Sequence, residues 1–307
     1  MTHSNPEFDG SRGFDSSGLV RANFSPRTLF NNIMTGVAFI LAAMAVIPLF
    51  AVLIYVTFQG ISSISPSVFV ELPPPPMVEG GGFGNAILGT ITMVGIGALI
   101  SVPFGVMASI YLTEFSTGKI SRWVRFATNI LSGVPSIIAG VFAYAAVVLT
   151  FTRFGWGSYS PIAGGIALSV LMLPIIVRTT DEALQLVPKD VRQASVGLGA
   201  TKFQTVWGVV LPAAVPAIVT GTTLAVARAA GETAPLLFTA LFSQFWPQFW
   251  PPQAFLQPTA SLAVLVYNFA IVPFKNQQQL AWAASLILVL LVLITSIITR
   301  YVTSRKA

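Results

Sequence analysis

Six apolar runs, each long enough to cross a lipid bilayer, are the feature that most restricts how this chain can fold. Crossing the roughly 30 Å hydrocarbon core takes about 20 helical residues. Runs of that order lie at about 34–57, 86–112, 126–150, 161–180, 207–239 and 280–300. With 54% hydrophobic and only 8% charged residues, the chain lacks the polar side chains that a water-facing surface requires. The sequence therefore predicts an all-α polytopic membrane protein with six transmembrane helices.

The positive charges predict how these helices are oriented, because Lys and Arg concentrate in cytosolic loops. One side collects four groups: Arg12, Arg21 and Arg27; Lys119, Arg122 and Arg125; Lys189, Arg192 and Lys202; and Arg300, Arg305 and Lys306. In the opposite loops there are only Arg153 and Lys275. We therefore expect both termini in the cytosol. The net charge of +6 is explained by membrane topology and lipid contact, and it does not indicate nucleic-acid binding.

The chain divides into four regions. Residues 1–28 are polar and are expected to form a disordered cytosolic tail. Residues 29–83 contain the first span and an external loop rich in Pro and Gly. Residues 84–301 contain the other five spans, with a long cytosolic loop at 181–212, and form the main transmembrane domain. Residues 302–307 are expected to form a second cytosolic tail.

Three further features concern local structure. Pro135 lies within the third apolar run and predicts a kink inside that helix. A QFWP duplication from Gln244 to Pro251 fits either an aromatic belt at the membrane surface or a docking surface for an external partner. The apolar run 261–274 is too short to span comfortably, so it is expected in or near the outer interface.

The loop after the fourth run has the pattern of an amphipathic helix. Its apolar residues recur every three or four positions, at Leu184, Val187, Val191, Ala194 and Leu198. Gly197 and Gly199 predict the end of this helix, since glycine accepts the left-handed conformation that terminates helices. A second amphipathic turn then leads to Leu211 and Pro212. The pattern predicts a compact helix-turn-helix on the cytosolic face, or an interfacial helix that simply rests on lipid headgroups.

This loop also resembles the EAA loop of ABC importer permeases, in which EAA is followed by three residues, a glycine, nine residues and I-x-L-P. The matching residues are Gln193, Ala194 and Ser195, then Gly199, then Val209, Leu211 and Pro212. The resemblance implies that the loop is a coupling helix that docks in a groove of a separate ATPase subunit. Gln193 replaces the acidic residue and Ser195 the second alanine, so an ion pair made by the family's glutamate is not expected here.

Two charged residues, Arg228 and Glu232, lie deep in the fifth run. An arginine at the bilayer centre costs about 2.5–3.5 kcal/mol, so such residues usually face an interior path and have a partner. The spacing of four lets the two pair on one helix face, and Gly231 and Pro235 allow the helix to break there. An ion pair that only fixes helix packing is the alternative, although such pairs are often no more stabilising than apolar packing. The planar guanidinium fork suits a tetrahedral oxyanion such as phosphate, which favours a functional role.

Arg178 lies near the cytosolic end of the fourth run. It can pair with Asp181 or Glu182, three or four residues further along the helix. It fits either a simple cationic anchor at the membrane surface or a residue at the exit of the pathway.

Five segments together resemble the phosphate-specific transport permease A subunits of bacteria, a branch of the type I ABC importer permeases. They are GNAILGT (84–90), YLTEF (111–115), SGVPSIIAGVF (132–142), RTTDEALQLVP (178–188) and GETAPLLFTA (231–240). The resemblance implies a bacterial inner-membrane subunit that imports inorganic phosphate by alternating access, with Arg228, Glu232 and Arg178 on the substrate pathway. It implies a sister permease C subunit in a heterodimer, a homodimeric ATPase subunit and an external phosphate-binding protein. ATP and Mg²⁺ would bind the ATPase, since this chain has no G-x-x-x-x-G-K-[ST] motif and is expected to bind no cofactor itself.

Three other functions are alternatives to phosphate import. A permease for sulfate, molybdate or phosphonate is the nearest alternative, and the GETAPLLFTA segment argues against it. An integral-membrane enzyme or metalloprotein is not expected, because the chain has no cysteine, its one histidine is His3 in the polar tail, and no nucleophile–base set is visible. An ion channel would not need the coupling loop.

Overall fold

The computed structural model describes residues 26–116, 118–248 and 255–304. Within these ranges the regular elements are all helices, and six of them are long and apolar enough to cross a membrane. These six are Pro26–Ile61, Gly84–Phe115, Ser136–Arg153, Pro161–Gln185, Lys202–Ala230 and Lys275–Tyr301. The prediction of an all-α chain with six spans is confirmed.

The helices are numbered in chain order. They are α1 (Pro26–Ile61), α2 (Ser67–Val70), α3 (Gly84–Ile110), α4 (Lys119–Ser132), α5 (Ser136–Ala143), α6 (Leu149–Arg153), α7 (Pro161–Gln185), α8 (Lys189–Gly197), α9 (Lys202–Thr205), α10 (Leu211–Ala230), α11 (Ala234–Thr239), α12 (Leu262–Ala270) and α13 (Lys275–Ser304). Three π-helical segments extend or join them. Tyr111–Phe115 extends α3, Tyr144–Val148 joins α5 to α6, and Val206–Val210 joins α9 to α10.

The chain forms two compact units that divide after Tyr55. The described part of the first unit is the N-terminal portion of α1, whose apolar side chains are almost all exposed. A helix that is apolar on every face and exposed is stable in lipid rather than in water. Its first residue is Pro26, which fits a first turn because no N–H is needed there. The predicted tail 1–28 is therefore wrong for residues 26–28, and its remainder lies outside the described residues.

In the second unit, α7 is the central helix. More than half of its most apolar stretch is buried, a larger share than in any of the other five candidate spans among the described residues. Helix α3 packs along it through a buried stripe of small residues at four-residue spacing, Gly97, Ser101, Gly105 and Ser109. A side chain at Gly105 would overlap Ile176 of α7, and Ser109 donates a hydrogen bond of 2.7 Å to the Val177 carbonyl. Small residues permit this close approach of two backbones.

Helix α10 packs against another face of α7 in the opposite direction. Leu184, near the C-terminal end of α7, shares a cluster with Ala214 near the start of α10. Met172, further back along α7, shares a cluster with Ala229 near the end of α10. The two helices are therefore antiparallel, as consecutive crossings of a membrane require.

The third span differs from the prediction. Helix α4 ends at Ser132, and Pro135 is the N-cap of α5, so residues 126–150 are not one span and Pro135 is not inside a helix. Proline lacks an N–H and disfavours helical conformation in the residue before it, so the chain ends one helix and begins another here.

The fifth and sixth spans also differ at their ends. The predicted run 207–239 is divided, because α10 ends at Ala230 and α11 starts at Ala234; this is the break that Gly231 and Pro235 predict. Helix α13 continues to Ser304, so residues 302–304 belong to a helix rather than to a tail.

Helix α12 is short, as expected, and it packs inside the protein. Its residues Leu262 and Leu265 are fully buried in a cluster that includes Phe83 and residues of α13. Its proximity to the outer interface of the bilayer stays a prediction.

Candidate functional site

Arg228 lies two residues before the end of α10, on the face that is turned away from α7. The exposed residues of this face recur every three or four positions, at Ala217, Thr220, Leu224 and Arg228. The Arg228 Nε is 3.5 Å from Glu232 Oε1, and 60% of the arginine side chain is exposed. Because this contact uses Nε, the two Nη groups can donate to an anion in the space beside α10.

Glu232 is held in the break between α10 and α11. The turn is closed by bonds from the Gly231 amide to the Arg228 carbonyl, 3.1 Å, and from the Glu232 amide to the Ala229 carbonyl, 3.2 Å. The two charged residues therefore pair as predicted, although Glu232 lies just beyond the helix that carries Arg228. Only 17% of the Glu232 side chain is exposed, so the carboxylate is more enclosed than the arginine.

Arg178 forms the second arginine–glutamate pair. Its Nε donates to Glu182 Oε1 at 2.9 Å, and both side chains are more than half exposed. The sequence left Asp181 and Glu182 as alternatives, and the structure selects Glu182. Asp181 instead accepts from Arg125 Nη2 at 2.8 Å. Arg178 and Glu182 line an open groove of about 460 Å³ together with Arg125 and Asn129 of α4.

The packing of α10 on α7 sets the relative level of the two arginines. Gly221 of α10 lies directly against Thr179 of α7, so that a Cβ at Gly221 would overlap the threonine side chain. Arg178 is therefore level with Gly221. Arg228 lies seven residues further along α10, or about 10 Å at 1.5 Å per residue. The structure places the predicted pathway arginines at two levels of one antiparallel helix pair.

The coupling loop differs from the single amphipathic helix predicted across 181–198. Helix α7 continues to Gln185, and α8 begins only at Lys189, after Pro188. Proline disfavours a helical conformation in the residue before it, which explains this interruption. The end predicted at Gly197 and Gly199 is confirmed, since α8 ends at Gly197 and Gly199 has a φ of +89°, in the region that glycine adopts without strain.

The predicted ATPase-coupling residues lie on and around α8. Gln193 and Ala194 are exposed, whereas the Ser195 hydroxyl is 3.0 Å from that of Thr205 and links α8 to α9. The serine that departs from the family pattern therefore has a structural role. Leu211 and Pro212 are the first two residues of α10.

Exposed apolar side chains surround these positions. They include Val191, Val196, Leu198 and Phe203, of which Leu198 is 91% exposed. Because exposed apolar groups clustered in a polar loop are typical of interaction sites, this surface can dock a partner.

Sequence reasoning missed the long-range contacts of the coupling region. Arg192 was interpreted only as a cytosolic cation, but its Nη2 lies 2.8 Å from Glu114 Oε1, at the end of α3. The signal that could have found this contact is a glutamate in the YLTEF segment, directly after an apolar span.

The loop that follows α11 is attached to the start of α3. Asn85 Nδ2 donates to the carbonyls of Ser243, 2.9 Å, and Phe245, 3.2 Å. Phe245 is exposed, while a side chain at Gly84 would overlap Trp246. Residues 249–251 of the QFWP duplication lie outside the described residues, and both interpretations of its aromatic residues stay predictions.

Comparison with known proteins identifies the family. Residues 101–307 match the binding-protein-dependent transport system inner membrane component family. The chain belongs to this family. It is 40% identical to the phosphate transport system permease protein PstA of Haemophilus influenzae, over 89% of this chain and 94% of that protein. It is 39% identical to the PstA protein of Yersinia pestis, over 81% of each chain. The predicted membership in the phosphate permease A-subunit family is confirmed.

A solved structure supports the fold. A chain of a bacterial alginate ABC transporter superposes with a TM-score of 0.63 at 13% identity, over 91% of this chain and 96% of that one. At this identity the likeness shows the fold alone, which is that of a type I ABC importer permease. The chain is accordingly a multi-pass inner-membrane permease subunit of an ABC importer that works with an ATPase and a binding protein, and it is not an enzyme.

Proposed function

We propose that this chain is the permease subunit through which an ABC importer moves inorganic phosphate into the cytosol. The observation that carries the proposal is the Arg228–Glu232 pair at the broken end of α10, in a chain whose relatives are phosphate transport system permeases. A permanently charged planar fork is well suited to a tetrahedral oxyanion.

The two arginine–glutamate pairs suggest how the anion passes. Each glutamate binds its arginine through Nε, so it can neutralise the guanidinium between transport events while the Nη groups stay available. A phosphate released by Arg228 would pass towards the level of Arg178, which is offset by about 10 Å along the axis of the helix pair. A site that binds weakly at more than one level can release its ion, which transport requires.

The exposed face of α10 supports a pathway that this chain does not complete alone. Arg228 points away from its own core, so a second permease subunit would supply the opposite wall. We infer the sister permease C subunit as this partner, together with a homodimeric ATPase and an external phosphate-binding protein. ATP and Mg²⁺ would bind the ATPase, and this chain would bind no cofactor. The cation distribution supports cytosolic termini.

The exposed surface around α8 would dock the ATPase through Gln193, Ala194 and Ser195, with Gly199, Leu211 and Pro212 shaping the turn and the return into the membrane. Closure of the ATPase on ATP would then move α8 and favour the outward-facing conformation.

Uptake by the complete assembly in membrane vesicles tests the proposal. Radiolabelled phosphate should accumulate only with ATP and with the binding protein, and excess sulfate, molybdate or phosphonate should not compete. The matched control contains an ATPase subunit that cannot hydrolyse ATP. Uptake of labelled sulfate in preference to phosphate would show that the substrate is another oxyanion. Uptake without ATP would contradict the importer mechanism.

A further inference from the structure

The π-helical segment Tyr111–Phe115 contacts the coupling region through each of its last three residues. The contacts are Thr113 with Asp181 near the end of α7, Glu114 with Arg192 of α8, and Phe115 with Lys202 of α9. Three consecutive side chains therefore reach three separate elements. π-Helical segments occur frequently at functional sites, and this one corresponds to the YLTEF segment, for which the proposed function gives no role.

The Glu114–Arg192 contact is the most enclosed of the three. Arg192 Nη2 is 2.8 Å from Glu114 Oε1, and only 9% of the Glu114 side chain and 21% of that of Arg192 are exposed. The same arginine donates to the carbonyl of Leu184 in the last turn of α7, 2.7 Å, and to that of Val187, two residues after this helix ends. One guanidinium thus joins α8 to both α3 and α7.

Helix α8 depends on this contact for its position. Among its nine residues, all of which the structure describes, none is buried, so apolar packing does not hold it against the membrane domain. Its attachment is made by polar contacts, chiefly those of Arg192 and the Ser195–Thr205 hydroxyl pair. Because removing one member of an enclosed ion pair leaves an uncompensated charge, loss of Glu114 would leave Arg192 without its counter-ion and bound only to the two carbonyls of the α7 end.

The neighbouring contacts strengthen the connection. The Thr113 hydroxyl donates to Asp181, which also binds Arg125 of α4 at 2.8 Å. Lys202 Nζ lies 5.5 Å from the centre of the Phe115 ring, within the range of a cation–π contact. The segment therefore joins α4, α7, α8 and α9 to α3, which in turn packs along α7.

We infer that the segment Tyr111–Phe115 is where movement of the coupling helix enters the membrane domain, and that Glu114 is the positioning residue that makes α3 follow α8. This inference rests on the proposed function, because it concerns how ATP hydrolysis is linked to transport. It assigns to the segment a role in energy coupling that is distinct from docking the ATPase and from binding the anion.

The test compares transport with hydrolysis in proteoliposomes that contain the complete assembly. Glu114→Gln and Arg192→Gln should retain the ATPase subunit, because the exposed docking residues of α8 are unchanged. We expect both variants to hydrolyse ATP while the phosphate taken up per ATP falls roughly 2- to 30-fold, the range found when coupling residues are changed. Glu114→Asp, which keeps the carboxylate and leaves the bonds from Arg192 to the Leu184 and Val187 carbonyls in place, should retain a substantial part of the ratio. Lys275→Gln, which removes an exposed cation at the start of α13, is the control and should keep it.

The outcomes separate coupling from a merely structural role. A proportional fall in uptake and hydrolysis, or an unchanged ratio in an assembled Glu114→Gln variant, would overturn the inference. If Glu114→Gln does not retain the ATPase subunit, Arg192→Gln and Glu114→Asp decide, since a lowered ratio in the first and a retained ratio in the second support the inference and any other pair of results overturns it.

A second readout separates this inference from the choice of substrate. If the wild-type assembly takes up no phosphate, the proposed substrate is wrong, and coupling is measured as the stimulation of hydrolysis by the binding protein. That stimulation should fall in Glu114→Gln and be largely retained in Glu114→Asp, whichever anion is carried.

Discussion

Replacing Arg228 with lysine keeps the positive charge and removes the planar fork, so it separates the contribution of charge from that of geometry. In the structure the Nε contact to Glu232 is 3.5 Å long and most of the arginine side chain is exposed. Exposed pairs at this helical spacing contribute only about 0.3–0.5 kcal/mol. The lysine variant should therefore fold and assemble like the wild type, and a change in uptake can be attributed to the anion.

Anion binding should respond much more strongly than stability. A hydrogen bond to a charged group contributes about 1.5–3 kcal/mol, which corresponds to about 10- to 150-fold in an equilibrium constant. Lysine carries the same positive charge but cannot form the two parallel hydrogen bonds that a guanidinium makes. We therefore expect Arg228→Lys to reduce uptake at low phosphate concentration by about tenfold or more, and Arg228→Gln to reduce it further.

The assay is ATP-driven uptake of radiolabelled phosphate at matched expression, with the co-purifying ATPase measured in the same samples. Arg153→Gln, at the exposed C-terminal end of α6, is the matched control and should behave like the wild type. Full activity of Arg228→Lys would show that charge alone is sufficient. Full activity of Arg228→Gln would remove Arg228 from the pathway and refute the reasoning.

Three further changes test separate parts of the structure. Gly221→Ala places a Cβ against Thr179 and should destabilise the α7–α10 contact by about 1–3 kcal/mol. The melting temperature in detergent should therefore fall. In the control Gly208→Ala the new Cβ meets open space, so the melting temperature should not change. Asn85→Leu removes the donor to two carbonyls of the loop after α11 at a cost of about 1–3 kcal/mol. Added protease should therefore cut this loop faster, and an unchanged cleavage rate would contradict the role of Asn85 as its anchor. Gly199→Ala strains a residue at φ +89° by about 1–2 kcal/mol and should reduce the amount of ATPase that co-purifies, whereas an equal yield would show that the turn tolerates a side chain.

Local features were the ones that the sequence predicted well. The six spans follow from length and hydropathy, because a bilayer imposes the same requirement on every helix that crosses it. The Arg178–Glu182 and Arg228–Glu232 pairs follow from a spacing of four, since the neighbours of a residue on a helix are determined by helix geometry. The left-handed conformation of Gly199, just after α8, could likewise be predicted from the local sequence.

Helix boundaries were predicted less well where apolar composition continues through a break. The run 126–150 reads as one span, yet the chain ends α4 before Pro135 and begins α5 after it. The pattern from Asp181 to Leu198 reads as one amphipathic helix, yet its first residues belong to α7. In both places the hydropathy pattern indicates which residues are buried, whereas a proline determines where one helix ends and the next begins.

The sequence by itself determined the class of protein, the number of spans and the residues that can attract an anion, because composition, length and four-residue spacing are properties of the chain read in order. Only the tertiary structure decided that Arg178 and Arg228 lie about 10 Å apart along one helix pair, and that Glu114 meets Arg192 across 78 positions. The physical reason is that these relations depend on which helices pack together, and small residues such as Gly221 and Gly105 determine that packing through the close approach they allow.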